Sequence, residues 1–275
     1  MDKWNLVIDI AACTNCNNCA VATQDEYAGN SFPGYSAPGA ADVRPLEITR
    51  HVRGEGAMVD VHYVPRMCNH CDNAPCIEAA GEVIVKRPDG IVIIDPDKAK
   101  GRQDLVDACP YGAIKWNEAE QVPQNWIFDA HLIDQGWIEP RAAHVCPTRA
   151  ITTLQVTDEK MARIVKDEGL QVLEPGLGTH PRIYYRNIEA VLAHFIGGNV
   201  TQGGFNAEGI KIKLMHDGEC VGSTTTDAFG DFLFDGIASG NSGYEISYRQ
   251  RDGQIACHAL VGEIQSSRVM QIVLD

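Results

Sequence analysis

The 275-residue sequence predicts an α+β chain: a cysteine-rich segment of short strands and helices, then an all-β sandwich or small barrel of about seven strands. Two observations predict it. Eight of the ten cysteines fall in the first 146 residues, largely in C-x2-C spacings. In a chain without a secretion signal, such spacings favour metal over disulfides. From about residue 198 the apolar period becomes two, and turn signals recur between short runs.

Residues 1–155 form the first expected domain. Its apolar runs, Leu6 to Ile10 and Ile91 to Ile94, have strand length, and the Gly, Pro and Ala content of Gly29 to Ala41 marks irregular surface. Residues 156–197 form a helical and extended connector. Thr157 is placed to cap a helix carrying Met161, Ile164 and Val165 on one face and stopped by Gly169. The prolines and glycines of EPGLGTHPRIYY disfavour helix. Asn187 is placed to cap a second helix, Ile188 to Phe195, ended by Gly197 and Gly198. Residues 198–275 form the β domain, where Ile210, Ile212 and Leu214 alternate with lysines, and Tyr244, Ile246 and Tyr248 with polar residues. Its two cysteines, Cys220 and Cys257, are expected as buried thiols.

The formal charge is −14, from 23 basic and 37 acidic residues. An acidic surface repels nucleic acid and anionic membranes, so neither is expected as a partner. The longest apolar stretches, such as Ile188 to Gly197, fall short of the ~20 residues a membrane span needs. The N-terminal MDKWNLVIDIAACTNC carries no secretory signal. A soluble, cytoplasmic protein is expected, with export alongside a signal-bearing partner left open.

The metal signal is dense. CTNCNNC places Cys13, Cys16 and Cys19 at x2 spacing, which turns three sulfurs toward three corners of a cubane; CNHCDNAPC gives Cys68, Cys71 and Cys76 as C-x2-C-x4-C. Two Cys-Pro singles follow, at Cys109 and Cys146. In two-cluster ferredoxins the run is C-x2-C-x2-C-x3-C-P, and its last cysteine serves the other cluster. Cys109, with no cysteine in the stretch before it, therefore reads as a remote fourth ligand. Two trios and two singles supply eight thiolates, enough for two [4Fe-4S] clusters. Four-thiolate zinc is the rival, with His70 and His144 as candidate partners, but zinc usually pairs two C-x2-C knuckles rather than threes and ones. Disulfides are the remaining alternative.

No G-x-G-x-x-G follows a strand, no P-loop is present, and no Ser–His–Asp arrangement is legible. No catalytic residue is expected in this chain. Clusters without a substrate motif indicate an electron conduit, the alternative being clusters that merely hold the fold.

CNHCDNAPC, IVIIDPDKAKGRQDLVDACPYGAI and HVCPTRAI resemble the iron–sulfur small subunits of the DMSO reductase family of molybdenum and tungsten enzymes, over roughly residues 4–155. The resemblance implies a tandem ferredoxin-like domain of two halves, holding up to four [4Fe-4S] clusters in four ligand groups. By the family's pairing, Cys13, Cys16, Cys19 and Cys146 hold one cluster, and Cys68, Cys71, Cys76 and Cys109 the other. The departures come in matched sets. Ala99, Arg102 and Leu105 stand where the third trio would be, and its remote partner is Ala80. Trp126, Asp129 and Ala142 stand near the fourth trio, and its remote partner is Thr23. Paired loss of this kind is what deletion of two whole clusters implies. Asp129, without three neighbours, is discounted as an iron ligand.

THPRIYYRNI and the C-terminal β module narrow the resemblance to small subunits of molybdopterin enzymes that transfer hydroxyl groups between, or hydroxylate, polyhydroxybenzenes. TTTDAFGDFLFDGI has the T-x-D-x-x-G-x-F pattern of Cna-B-like or transthyretin-like modules. The resemblance implies a heterodimer whose large subunit carries the active site, with molybdenum bound to two pterin guanine dinucleotides. Membership of another molybdopterin oxidoreductase, of the polysulfide, thiosulfate or sulfoxide reductase type, is the alternative.

Overall fold

The computed structural model describes residues 1–250, 253–260 and 262–274. Its contacts divide into two units, Met1–Arg50 with Tyr63–Ile188, and His51–His62 with Glu189–Asp275. The expected connector is thereby split at Ile188.

In the first unit, β1 (Lys3–Asp9) leads to α1 (Asn18–Tyr27), then to a hairpin of β2 (Glu47–Glu55) and β3 (Met58–Arg66) whose tip belongs to the second unit. Short elements follow: α2 (Pro75–Ala80), β4 (Ile84–Lys86), β5 (Val92–Ile94), β6 (Lys115–Asn117), β7 (Val122–Gln124), α3 (Ala130–Ile133) and α4 (Arg141–His144). The unit closes with β8 (Ile151–Val156), α5 (Asp158–Glu168) and β9 (Ile183–Arg186). β1 is the centre of a three-stranded sheet, antiparallel to β8 and parallel to β9. Trp4 to Ile8 are all buried, which is why this strand reads as a continuous run rather than an alternation. α5 matches its sequence signals: the Thr157 hydroxyl accepts from the Lys160 amide, and Gly169 ends the helix at φ 62.

The second unit contains α6 (Glu189–Leu192) and eight strands among the described residues: β10 (His194–Gln202), β11 (Phe205–Asn206), β12 (Lys211–His216), β13 (Glu219–Thr225), β14 (Asp231–Ile237), β15 (Tyr244–Arg249), β16 (Ile255–Ala259) and β17 (Arg268–Leu274). In one sheet β10 pairs with β11 and β14 antiparallel and with β17 parallel. The other has the order β13-β12-β15-β16. Ile196, Val200, Phe232 and Phe234 from the first sheet share one core with Ile212, Leu214 and Ile246 from the second. The period-two alternation seen in sequence is the division between that core and solvent.

Two expectations fail here. The second helix spans only four residues, and Phe195, Gly197 and Gly198 lie inside β10. Asn187 does not cap it; at φ 59 it donates to Asp9 Oδ1 (2.7 Å). The glycines are strand glycines because neighbours crowd them. A Cβ on Gly197 would meet Met58 Sδ at 2.5 Å, and one on Gly198 the Met270 carbonyl at 2.2 Å. Pairing with β14 and β17 thus overrides the local helix signal. Cys220 and Cys257 are exposed rather than buried, since β13 and β16 are the edge strands of their sheet.

In the second unit Arg53, 6 % exposed, donates to Asp60 and Asp235 and to the Ala193 carbonyl. Burial works against ionised Asp60 and Asp235, but the Arg53 guanidinium outweighs it and holds both below the usual carboxylate range. Depressed folded values mean stability that is present above the unfolded pKa of about 3.9 and is lost as pH falls through the folded values. Arg53→Met should cost about 1–2 kcal/mol at pH 7, because both carboxylates are part-exposed. It should also flatten the acid-side loss. Thermal melts of wild type and variant from pH 7 to pH 2 check both outcomes.

Candidate metal centres

The first centre follows from strand pairing. β1 and β8 run antiparallel from Lys3↔Val156 to Ile8↔Ile151, and the Asp9 amide donates to the Ala150 carbonyl at 2.8 Å. The chain leaving β1 and the chain entering β8 therefore meet at one end of the sheet. Cys13 lies just beyond one and Cys146 just before the other. Between Cys13 and Cys19 the loop turns through left-handed Asn15 (φ 57) and Asn17 (φ 60), a conformation asparagine tolerates. Asn17 Nδ2 donates to the Asn15 carbonyl at 3.0 Å, which fixes the turn. Cys19 is buried in the first turn of α1, Cys13 and Cys146 are half-buried, and Cys16 is exposed. Cys13, Cys16, Cys19 and Cys146 act on one another's charge.

The second centre lies where β3, α2 and the hairpin of β4 and β5 converge. Ile84, Val92, Ile94, Leu105 and Ile114 form a buried apolar cluster, with Cys68, Cys76 and Cys109 packed against it. Cys68, Cys71, Cys76 and Cys109 are coupled in charge. The loop from Cys68 to Cys71 turns at His70 (φ 46), whose Nδ1 accepts from the Val92 amide at 3.0 Å. Burial, with Lys86 and Arg182 nearby, pushes the His70 imidazole down to about 3, so it stays neutral. Lys86 Nζ braces the loop, donating to the His70 and Cys71 carbonyls at 2.9 Å each.

Burial pushes the Cys19 and Cys76 thiols up to about 11 each, and Cys68 far above the usual thiol range. Such thiols hold their protons in water at neutral pH and release them to a metal. Donors are already aimed at the sulfurs. Cys13 receives the Asn15 amide, Cys19 that of Ala20, and Cys68 that of His70. At Cys146 burial opposes ionisation, but the amides of Ile151, Thr148 and Ala150 and the Thr148 hydroxyl outweigh it and draw the thiol down. Four thiols ringed by N–H donors are the chemistry an iron–sulfur cluster requires. Among the described residues no three His, Cys, Asp or Glu side chains are set to hold a single ion. A zinc ion draws its thiolates to about 2.3 Å from one centre, whereas a cubane gives each iron its own thiolate and spreads them.

The positions that the resemblance assigns to two further ligand groups are packed, each differently. Ala80, Ala99 and Leu105 belong to the apolar cluster beside the second centre and are 6 %, 0 % and 0 % exposed. Arg102 turns to Asp104 instead. Thr23, Trp126, Asp129 and Ala142 are each 0 % exposed. Asp129 accepts from Tyr27 Oη and from the Arg141 amide, both at 2.7 Å. Both its oxygens are thus taken by hydrogen bonds that link the loop to α1 and α4. Beside it Glu26 bonds His131 and Arg141. His70 and His144 are not paired as zinc ligands: His144 bonds Glu139 at 3.1 Å.

Sequence reasoning missed the sulfur donors. Thr148 was visible, two residues past Cys146 in HVCPTRAI. The Lys86 brace was not, because no spacing rule ties a distant ammonium to a ligand loop.

The family described as "4Fe-4S dicluster domain" matches residues 59–156. The pyrogallol hydroxytransferase small subunit of Pelobacter acidigallici is 41% identical over 249 residues, covering 90% of this chain and 91% of that one. A tetrathionate reductase subunit of Salmonella typhimurium is 28% identical over 192 residues, 68% of this chain and 73% of that one. The arsenate respiratory reductase iron–sulfur subunit of a Shewanella species is 24% identical over 237 residues, 66% and 95% respectively.

Burial raises the Asp129 carboxyl against the pull of Tyr27 and the Arg141 amide. Asp129→Ala leaves that hydroxyl and that amide buried without an acceptor. It should cost about 2–4 kcal/mol, read as a lower denaturant midpoint. Asp129→Asn, which keeps an acceptor, should cost less.

Proposed function

Because the chain belongs to the family of the pyrogallol hydroxytransferase small subunit, among the iron–sulfur small subunits of the DMSO reductase molybdoenzymes, we propose that it is the electron-transfer subunit of a heterodimeric molybdopterin enzyme acting on phenolic rings. Cys13, Cys16, Cys19 and Cys146 hold one [4Fe-4S] cluster, and Cys68, Cys71, Cys76 and Cys109 hold a second, in two ferredoxin-like halves. One observation carries this reading. Pairing of β1 with β8 brings together the segments that carry the first four thiols, and an apolar cluster seats three of the second four, while packed side chains fill the positions of two further groups.

A cubane supplies one-electron exchange; this chain's residues set its terms. Thiolates hold it, N–H and O–H donors stabilise added negative charge, and apolar walls limit water. The catalytic step belongs to the partner, a large subunit with molybdenum bound to two pterin guanine dinucleotides, and no catalytic residue is assigned here. The β module, read as Cna-B-like or transthyretin-like, is a docking or stabilising unit. Among the described residues no helix is long and apolar enough to cross a membrane. The metal-type cysteine spacing supports a reducing compartment, the cytoplasm, with export alongside a signal-bearing partner as the alternative.

With two of four clusters gone, a wire to an outside acceptor is interrupted. That suits hydroxyl transfer between polyhydroxybenzenes, which is redox-neutral overall, better than net hydroxylation, which must export two electrons. The polysulfide, thiosulfate or sulfoxide reductase reading is not favoured, because the reductase relatives match this chain less closely.

Anaerobically purified complex should contain, in this chain, about eight iron atoms, four per cluster, and Cys109→Ala should lower the count toward about four. Zinc in place of iron would overturn the assignment. The complex should turn over polyhydroxybenzenes without an added electron acceptor; strict acceptor dependence would sink the hydroxyl-transfer reading.

A further inference from the structure

Five residues, NWIFD at 125–129, connect the surroundings of the two centres. On one side, Asn125 Nδ2 donates to the Val92 carbonyl at 3.1 Å, and the Val92 amide donates to His70 Nδ1 at 3.0 Å. His70 Nδ1 also lies 3.9 Å from the Cys68 sulfur. The centroid of the His70 ring is 5.6 Å from those of Trp126 and Phe128, which are 5.1 Å from each other. On the other side, Asp129 accepts from Tyr27 Oη, on the helix that carries Cys19, and from the Arg141 amide. The Arg141 carbonyl in turn accepts from the Val145 amide at 3.0 Å, one residue before Cys146.

None of the five residues is more than 6 % exposed. The route from Cys68 to Cys146 therefore runs through packed rings, covalent bonds and hydrogen bonds. Electron tunnelling decays faster across gaps and water than through dense, π-rich packing. Trp126 is fully buried, yet its Nε1–H makes no protein hydrogen bond. The indole is thus held for its π surface rather than for its polar handle.

We propose that Trp126 and Phe128 form an aromatic bridge through which electrons pass between the two centres. The inference rests on the proposed assignment of a [4Fe-4S] cluster to each centre. In each transfer one cluster loses one electron and the other gains it. Indole is oxidised only far above the range in which such clusters work, so Trp126 is unchanged by the transfer and supplies orbitals, not a redox state. Neither ring is a ligand to iron, and no proton moves.

The test is freeze-quench electron paramagnetic resonance of the intact complex, oxidised and then mixed anaerobically with excess dithionite. Of the eight thiols only Cys16 is exposed, so the reductant meets the first centre first and the second fills through the bridge. Trp126→Leu should leave the first signal rising at the wild-type rate and slow the second several-fold, with iron content and both midpoint potentials unchanged. A purely structural role would not slow transfer at unchanged potentials. Trp126→Phe, which keeps a ring, should stay near wild type. An unslowed second signal in Trp126→Leu at full iron content overturns the bridge, and so does equal slowing in Trp126→Phe. If Trp126→Leu loses iron, Phe128→Leu decides alone: a slower second signal supports the bridge, and an unslowed one overturns it. Failure of the cluster assignment is separate, because it requires that the wild-type chain lack about eight iron atoms.

Discussion

Pairing of β1 with β8 joins the two ends of the first part of the chain, and the proposed first centre depends on it. Closing so long a loop costs entropy that no cluster of sulfurs repays before metal arrives. The cost is met by a fully buried strand, Trp4 to Ile8, held between β8 and β9. The sheet thus brings the segments that carry Cys13 and Cys146 together in advance, and the left-handed Asn15 and Asn17 turn the chain between Cys13 and Cys19. The second centre is assembled by other means. A strap of backbone hydrogen bonds and the Lys86 ammonium fix its loop, and an apolar cluster seats Cys68, Cys76 and Cys109.

On the proposed assignment, the two replaced ligand groups show two ways of filling a space that a metal cluster would otherwise take. Beside the second centre the solution is apolar. Alanine and leucine extend a core, with no polar atom left to satisfy. Near the first centre it is polar: Asp129 takes a hydroxyl and an amide, and Glu26 takes His131 and Arg141. A buried carboxylate is tolerable only when both oxygens are bonded. The Thr23 hydroxyl and the Trp126 indole N–H, both buried, make no protein hydrogen bond, so this packing is less complete than the apolar one.

Much of this was legible in the sequence. Spacing alone separated the eight clustered cysteines from Cys220 and Cys257, and period-two alternation located β12 and β15. Thr157 and Gly169 marked α5 because capping is a local contest between neighbouring groups. The second helix was misjudged for the opposite reason. Gly197 and Gly198 look like a stop signal, but they answer to Met58, Phe232 and Met270, residues remote in sequence. Exposure of Cys220 and Cys257 depends on which strands end at a sheet edge, and strand order is not written in periodicity. The Lys86 brace was hidden likewise, since its ammonium meets the loop from Cys68 to Cys71 only once β4 has paired with β5.

The packed substitutes also bear on evolutionary reversal. Restoring one cysteine at position 99 or 105 would place a lone thiol in a sealed interior, where it could capture no iron and would displace well-fitted methyl groups. Four replacements, one of them at position 80, would have to arrive together before any benefit appeared, and each intermediate would be less stable than its parent. On the proposed assignment, descendants of this chain are held at two centres by a fitness valley, so a lineage needing a longer electron path would more readily recruit another protein than rebuild the replaced groups.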